Sequence, residues 1–523
     1  MQPLKVKDLS LAVELSSHLS GIQRGLEKES LRIQPDGYLS KSVHPKELGS
    51  TLTNSYITTD YSEALPEFIT PPSTNRNQPL DTMYELHQFA YQFLGDEVLW
   101  ATSMPCIMGG ESDIPIARYG SSNSGQMKEI YRLGLGERYG RFMQTIAGVH
   151  YNFSLPMSFW QSYYEEEKSN SEFKGIELKD FISEKYMGMI RNYLRYSWLI
   201  PLFYGASPAL CESFIQGKNI DLDELVPGTR YGRYSTSLRM SDLGYQNKVQ
   251  SQLNVGYNCL PSYIEALEKA IRTEDPYYRS LGVIKDGEYQ QLNANILQIE
   301  NEFYGSIRPK RVAKSGERPT KALKLHGIEY IEVRALDINP FSPVGLDSSQ
   351  MAFIDTLLLT CLFSESEPIT AREKGENTGN FDRVVLNGRH PDLCLSVQNS
   401  SVALSEITNG ILNEMKPFAE LLDHSYSINE HTRTLQDLNK KVTNLDETFS
   451  GQIVKTIESR EDGFFPFAYE LSQKHKEEFV KNPLSKEKLE HYQQAALQSH
   501  KDKQTMEESD TMSFGAFLES YYD

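Results

Sequence analysis

Charged and apolar residues alternate along residues 25–33, and the run closes on Pro35-Asp36-Gly37, so the spacing predicts a strand entering a hairpin. A shorter run over 64–70 also predicts a strand, which Pro66 confines to an edge or bulged position. Residues 145–155, 291–304 and 325–337 alternate in the same way and predict further strands. Helical spacing appears in 80–94, through Leu80, Met83, Tyr84, Phe89 and Phe93, and in 180–199, through Ile182, Met187, Ile190, Tyr193 and Leu194. Strands and helices are mixed without the rhythm of a doubly wound parallel sheet, which selects an antiparallel α+β unit.

After about Glu373 the character shifts: 374–380 reads as a loop, and the rest turns helical and charged. Helices are predicted over 400–422 and 485–504, and runs such as 474–478 read as solvated helix faces. A soft boundary near residue 380 divides a catalytic unit, 1–380, from a mainly helical region, 381–523, packed on it. No internal repeat or low-complexity tract is present.

Composition narrows the function classes. The 523 residues are 39% hydrophobic and 24% charged, the balance of a folded globular chain, and at ~150 residues per domain they amount to about three and a half domain equivalents. A net charge of −18 disfavours non-specific binding to nucleic acid or anionic membranes. It also means that an anionic substrate needs local positive charge, from placed Arg and Lys or from a metal ion. Five cysteines, odd in number and without a C-x-x-C pair, read as reduced thiols. Residues 1–20 lack a signal peptide's apolar stretch, and the longest apolar passage, 357–363, is too short to span a bilayer. A soluble cytoplasmic protein is the expectation.

Candidate chemistry gathers on the predicted strands. Glu27 and Glu29 leave the same strand face, where two like charges repel unless a cation lies between them; taken alone, a merely exposed face is the better reading. Asp60 and Glu67 flank a turn-to-strand passage, and differ in parity unless Pro66 breaks the alternation. His150 shares a face with Gly148 and Asn152. In the segment 326–337, Ile331, Val333 and Ala335 form an apolar face while Glu332 and Arg334 project from the other, suited to a metal and a phosphate or to a cross-strand ion pair. Upstream, Glu300, Glu302 and Tyr304 alternate with Ile299, Asn301 and Phe303 ahead of Arg308, Lys310 and Arg311, a basic cluster suited to triphosphate oxygens or to a solvated loop. No Walker loop exists, and Gly134, Gly136 and Gly140 are spaced one residue too wide for G-x-G-x-x-G. An oxygen-rich, thiol-free set with one imidazole suits magnesium bridging phosphates.

Several of these segments, in order, resemble the proteobacterial glutamate-cysteine ligases: Gly21-Ile-Gln-Arg-Gly-Leu-Glu-Lys-Glu29, Ile57-Thr-Thr-Asp-Tyr-Ser-Glu-Ala-Leu65 and Met143-Gln-Thr-Ile-Ala-Gly-Val-His-Tyr-Asn-Phe-Ser-Leu155. Thr236 to Tyr245, Leu297 to Glu302, Ile307 to Val312 and Gly327 to Pro343 continue the likeness, which covers roughly 20–370. The resemblance implies a glutamine-synthetase-like fold, an antiparallel β-sheet funnel surrounded by helices, and ATP-dependent synthesis of γ-glutamylcysteine, the first step of glutathione formation. It implies that Glu27, Glu29, Asp60, Glu67, His150 and Glu332 bind magnesium, with manganese as an alternative, and that Arg334 faces the transferred phosphoryl group. Arg308, Lys310 and Arg311 would meet ATP phosphates, and Glu67 is the candidate base. The implied amino-acid pocket comprises Tyr61, Tyr131, Leu135 and Gln144, together with Ile146, Arg239, Tyr245 and Tyr304. Small-molecule substrates, no nucleic acid, no membrane and a monomeric state complete the expectation.

Three rivals stand beside this reading. A ligase of the same fold using another amine acceptor would keep the metal and ATP parts. A two-carboxylate glycoside hydrolase would need neither ATP nor Arg334. A non-catalytic binding protein would tolerate loss of Glu27 or Glu332.

Overall fold

The computed structural model describes residues 1–216, 220–243, 253, 255–313 and 317–523. Six strands pair in one sheet: β1 (Gln23–Glu29), β2 (Ile57–Thr59), β3 (Pro66–Ile69), β4 (Val149–Ser154), β5 (Ile307–Lys310) and β6 (Tyr330–Leu336). Their order is β5-β6-β4-β1-β3-β2, with every neighbouring pair antiparallel. Register places Glu27 opposite His150, Glu29 opposite Glu67, and Glu332 between Asn152 and Arg308. Because side chains alternate with a period of two, this pairing collects Glu27, Glu29, Glu67, His150, Arg308, Lys310, Glu332 and Arg334, from five strands, on one face. A register shift in β6 between Val333 and Leu336 falls beside Arg334, the kind of irregularity that re-aims a side chain.

The opposite face is mainly apolar, with Arg24 and Lys28 of β1 the buried charged exceptions. Leu26, Tyr151, Phe153, Ile331 and Val333 are buried there. The larger helices are α1 (Gln78–Ala90), α2 (Asn123–Tyr139), α3 (Leu178–Tyr196), α4 (Ser348–Leu362), α5 (Ala371–Asn387), α6 (Leu404–Tyr426), α7 (Glu430–Lys441), α8 (Phe449–Glu458), α9 (Phe464–Lys481) and α10 (Lys486–Ser509). Helix α4 starts at a capping box between Asp347 and Gln350 and is buried on every side from Gln350 to Leu362, packing against α3, α6 and α7. Among the described residues, no helix is long and apolar enough to cross a membrane.

One buried polar cluster joins this helical layer to the sheet. Arg24 of β1 donates to Asp355 of α4 at 2.8 Å, and both side chains are fully buried. Tyr151 of β4 donates to the same carboxylate at 2.7 Å. His431 of α7 stands 3.8 Å from Asp355 and 2.7 Å from Asp423 of α6, while Arg24 donates to Tyr426 at 2.9 Å. Burial raises the Asp355 carboxyl, but Arg24 and its hydrogen-bond donors bring it below the usual range, so it is held ionised.

The helices predicted over 80–94 and 180–199 correspond to α1 and α3, and those over 400–422 and 485–504 to α6 and α10. Four local expectations are corrected. The strand over 25–33 is two, β1 and the separate pair Arg32–Ile33 with Val98–Leu99. Strand β3 lies inside the sheet, because Pro66 is its first residue and its missing N–H removes no interior ladder bond. Residues 291–304 form no strand; Asn293, Gln298 and Glu302 side chains bond nearby backbone, competing with a ladder, and only a short 3-10 turn, Glu300–Glu302, results. Residues 374–380 lie within α5, which is capped by Thr370 accepting from Glu373 N–H and tied to α3 by Arg195 and Glu373 at 2.7 Å. The residue-380 position thus falls inside a helix.

Replacing Asp355 by Asn leaves Arg24 buried without its counter-charge, and should lower stability by about 3–5 kcal/mol. Urea unfolding monitored by circular dichroism would show this as a lower midpoint at constant slope. The pair Arg24→Met with Asp355→Leu should recover much of the loss.

Candidate active site

The charged face of the sheet forms one wall of a cavity of about 650 Å³. Glu27, Glu29, Asp60, Glu67, His150 and Glu332 all line it, as do Arg308, Lys310 and Arg334. Asp60 and Glu67 reach the same space because β2 ends at Thr59 and the turn that follows returns the chain before β3 begins.

His150 is the centre of the acidic group. Its Nδ1 lies 3.1 Å from Glu27 Oε2, 3.3 Å from Arg334 Nη1 and 3.9 Å from Glu332 Oε1, and its Nε2 lies 3.9 Å from Glu29 Oε1. Two donor sets share it, Glu27–His150–Glu332 and Glu29–Glu67–His150, each with its ligand atoms within 4.8 Å of one another. Asn152 donates to Glu27 Oε1 at 2.9 Å and Gly148 N–H to Glu29 Oε2 at 2.8 Å, so these carboxylates are oriented from behind. Oxygen donors with a single imidazole fit a hard divalent cation such as magnesium or manganese, and do not resemble a zinc set.

Charge is graded along this wall. Burial, Glu27, Asp60 and Glu29 push the Glu67 carboxyl well above the carboxylate range, and burial with Asp60 pushes Glu29 up to about 8. On the other side, burial opposes ionisation of Glu332, but Lys310 at 3.4 Å and Arg334 at 3.1 Å hold it well below that range. Burial likewise opposes Glu27, which the His150 hydrogen bond brings down. Burial and Arg334 lower the His150 imidazole, keeping it neutral and suited to be a ligand.

The facing wall comes from α2 and nearby loops. Tyr61, Tyr131, Leu135, Gln144, Arg239 and Tyr304 line it. Arg239 stands 3.7 Å from Asp337 and donates to the Arg334 carbonyl at 3.1 Å. Gly148 makes room for it: a Cβ there would lie 2.6 Å from the Arg239 guanidinium carbon. Gly136 does the same for Tyr61, whose hydroxyl a Cβ would approach to 2.5 Å.

Three sequence expectations fall away from this cavity. Ile146 is buried in the hydrophobic core and does not line it. Arg311 follows the last residue of β5, so alternation turns it away from Arg308 and Lys310; it meets Glu329 at 3.5 Å and donates to the His326 carbonyl. Glu300 parts from Glu302 and Tyr304 once the strand is absent, and accepts from Thr320 instead. Tyr245 lies outside the described residues. Conversely, Arg132, Arg138, Tyr139 and Tyr278 line the cavity although no motif pointed to them, and Asn301 and Glu302 line it from the 3-10 turn. Arg138 pairs with Glu302 at 3.0 Å. Helical spacing on α2 from Tyr131 and Leu135 was the available signal for Arg138 and Tyr139.

Residues 9–384 match the family described as glutamate-cysteine ligase. The chain belongs to this family. A glutamate-cysteine ligase of Alcanivorax borkumensis is 47% identical over 98% of this chain and 98% of its own length. One of Pseudomonas putida is 44% identical over 95% and 94% of the two chains. Among solved structures, a glutamate-cysteine ligase of Francisella tularensis in complex with AMP is 33% identical, with a TM-score of 0.89, covering 96% of this chain and 97% of that one. A bifunctional glutathione synthetase of Pasteurella multocida, at 23% identity and a TM-score of 0.71 over 91% of this chain and 55% of that one, shares the fold.

In this ligase-family chain the crowding of carboxylates has a measurable cost. Glu67→Gln removes one of them, and should stabilise the metal-free protein by about 1–2 kcal/mol. Thermal unfolding should also show that millimolar magnesium chloride raises the midpoint of the natural protein more than that of the variant. A lower midpoint for the metal-free variant would contradict the repulsion assigned here.

Proposed function

We propose that this chain joins the γ-carboxylate of L-glutamate to the α-amine of L-cysteine at the expense of ATP, through a γ-glutamyl phosphate, giving γ-glutamylcysteine. The observation that carries this reading is the convergence of clustered acids with Arg308, Lys310 and Arg334 on one sheet face inside a single cavity. A glycoside hydrolase has no use for the basic part of that face. Family membership and the AMP held by the Francisella relative support a nucleotide substrate.

The sheet is read as the wall of a glutamine-synthetase-like funnel. Glu27, Glu29, Asp60, Glu67, His150 and Glu332 would hold magnesium or manganese, which when bound neutralises charge between the ATP phosphates and the anionic glutamate. Arg308 and Lys310 would position the phosphate chain. Arg334 would stabilise charge on the γ-phosphoryl group as it passes to the glutamate γ-carboxylate, turning an inert carboxylate into an electrophile. On the facing wall, Arg239 and Tyr304 would grip an amino-acid carboxylate, with Tyr61, Tyr131, Leu135 and Gln144 shaping the space around it. The cysteine amine would then attack the acyl carbon and lose its proton, for which Glu67 is the candidate acceptor once relief of the repulsion from its acidic neighbours lets it ionise, and phosphate would leave.

The working unit is read as a monomer. Residues 381–523 are assigned a supporting role, and the reaction is placed in the cytoplasm.

The decisive measurement is ADP release by the purified chain with ATP, glutamate, cysteine and magnesium. Release should depend on all four, and cysteine should outperform other amines; release indifferent to every added amine would refute the ligase reading. Arg334→Ala should lower kcat about 10²–10³-fold with little change in the KM for cysteine. Gly148→Ala, which displaces Arg239, should instead act mainly on an amino-acid KM, raising it about tenfold while kcat changes less.

A further inference from the structure

A second and larger cavity, about 810 Å³, opens where α6 and α8 meet the segments 233–234, 389–391 and 442–446. None of the acidic cluster residues line it. Its floor is apolar, with Leu202, Leu404, Val442 and Val454. One side carries two rings, Tyr234 and His390, set edge to face with centroids 4.8 Å apart.

Its polar groups are unbalanced toward positive charge. The two lining acids are already engaged: Asp446 pairs with Arg389 at 2.6 Å, and Glu458 accepts from Tyr231 at 3.2 Å. Arg233 and Lys455 also line the cavity and have no acidic partner within ion-pair distance among the described residues. Arg389 is the sharper observation. Its side chain is only 3% exposed, its Nη1 meets Asp446 and its Nη2 donates to the Arg233 carbonyl, yet its Nε has no hydrogen-bond partner. A buried guanidinium N–H left without an acceptor is costly, and an anionic oxygen is the group that best satisfies it.

The cavity wall runs directly into the catalytic one. Arg389 N–H donates to the Tyr234 carbonyl, and the N–H groups of Thr236 and Ser237 both donate to the Val385 carbonyl of α5. Ser237 donates to Asp337 at 2.9 Å, and Asp337 faces Arg239. Five residues beyond Tyr234, the same segment therefore delivers the guanidinium that lines the catalytic cavity.

We propose that this second cavity is an effector site for a compact, planar organic anion, whose acidic group meets Arg389, Arg233 and Lys455 and whose flat body lies against Tyr234, His390 and the apolar floor. Occupation is felt at Arg239 through residues 234–239. The shared ligand chemistry is a phosphate or carboxylate on a ring system of nucleoside size or smaller.

The test is calorimetric titration of the full chain with AMP, phenylacetate and inorganic phosphate, paired with kinetics. The natural protein should bind AMP or phenylacetate with one more equivalent than Arg233→Glu/Lys455→Glu, two exposed replacements that should leave the fold and basal ADP release unchanged. AMP alone showing the extra equivalent identifies a phosphate-bearing ligand, and phenylacetate alone a carboxylate. Arg389→Lys, which keeps the charge but removes Nε, should weaken that binding at least tenfold. The successful probe should shift an amino-acid KM at least threefold in the natural protein, and not through this site in the double variant. Equal stoichiometry in both proteins, inorganic phosphate binding as tightly as the ring-bearing probes, or cavity-dependent binding with no KM shift would each overturn the proposal. Because binding is read separately from turnover without probe, its failure is distinct from failure of the ligase reading.

Discussion

Repulsion among Glu27, Glu29, Asp60 and Glu67 is the interaction that the rest of the molecule is built to contain. Carboxylates this close prefer either to separate or to keep their protons, and Glu29 and Glu67 are held toward the protonated side. They cannot separate, because each belongs to a strand or turn whose backbone is already paired. Cations at the β5–β6 edge set the opposite tendency for Glu332. The same wall thus carries a gradient from crowded acid to compensated acid, a surface ready to accept divalent charge at one place and phosphate at another.

Holding that wall in place requires an equally strong back. The strands turn Leu26, Tyr151, Phe153, Ile331 and Val333 toward the helices, where α4 is buried all round. Within this apolar layer, the Arg24–Asp355 pair, with Tyr151 and His431, sets which part of α4 lies behind β1 and β4. A buried ion pair contributes little net stability compared with apolar packing, but an apolar layer alone would permit the helix to slide. The C-terminal helices α6 and α7 enter this arrangement through Asp423, Tyr426 and His431, which explains why a region remote in the chain bears on the geometry of the catalytic strands.

The facing wall obeys a different rule. It is made of aromatic and basic side chains brought close by glycines, with Gly148 giving Arg239 its place and Gly136 giving Tyr61 its place. Close approach needs absent side chains, so this half of the cavity is sensitive to small additions in volume rather than to charge. Arg239 also stands at the end of the segment that borders the second, cation-rich cavity, which makes it the residue through which events on both sides of that segment meet.

Strand alternation by itself determined which side chains share a face. Glu27 with Glu29, His150 with Asn152, and Glu332 with Arg334 follow from a period of two, whatever the partner strands are. Helical spacing similarly located α1, α3, α6 and α10. Pairing and register were decided only in three dimensions, because a strand's neighbours are set by contacts distant in sequence: nothing local brings Glu67 opposite Glu29 or Arg308 opposite Glu332. The segment 291–304 had the alternation of a strand, but its Asn, Gln and Glu side chains satisfy the backbone locally, which separated Glu300 from Glu302 and Tyr304. Arg311 and Ile146 left the cavity for the same kind of reason, since where a strand or turn ends fixes the direction of the next side chain and composition does not encode that end point.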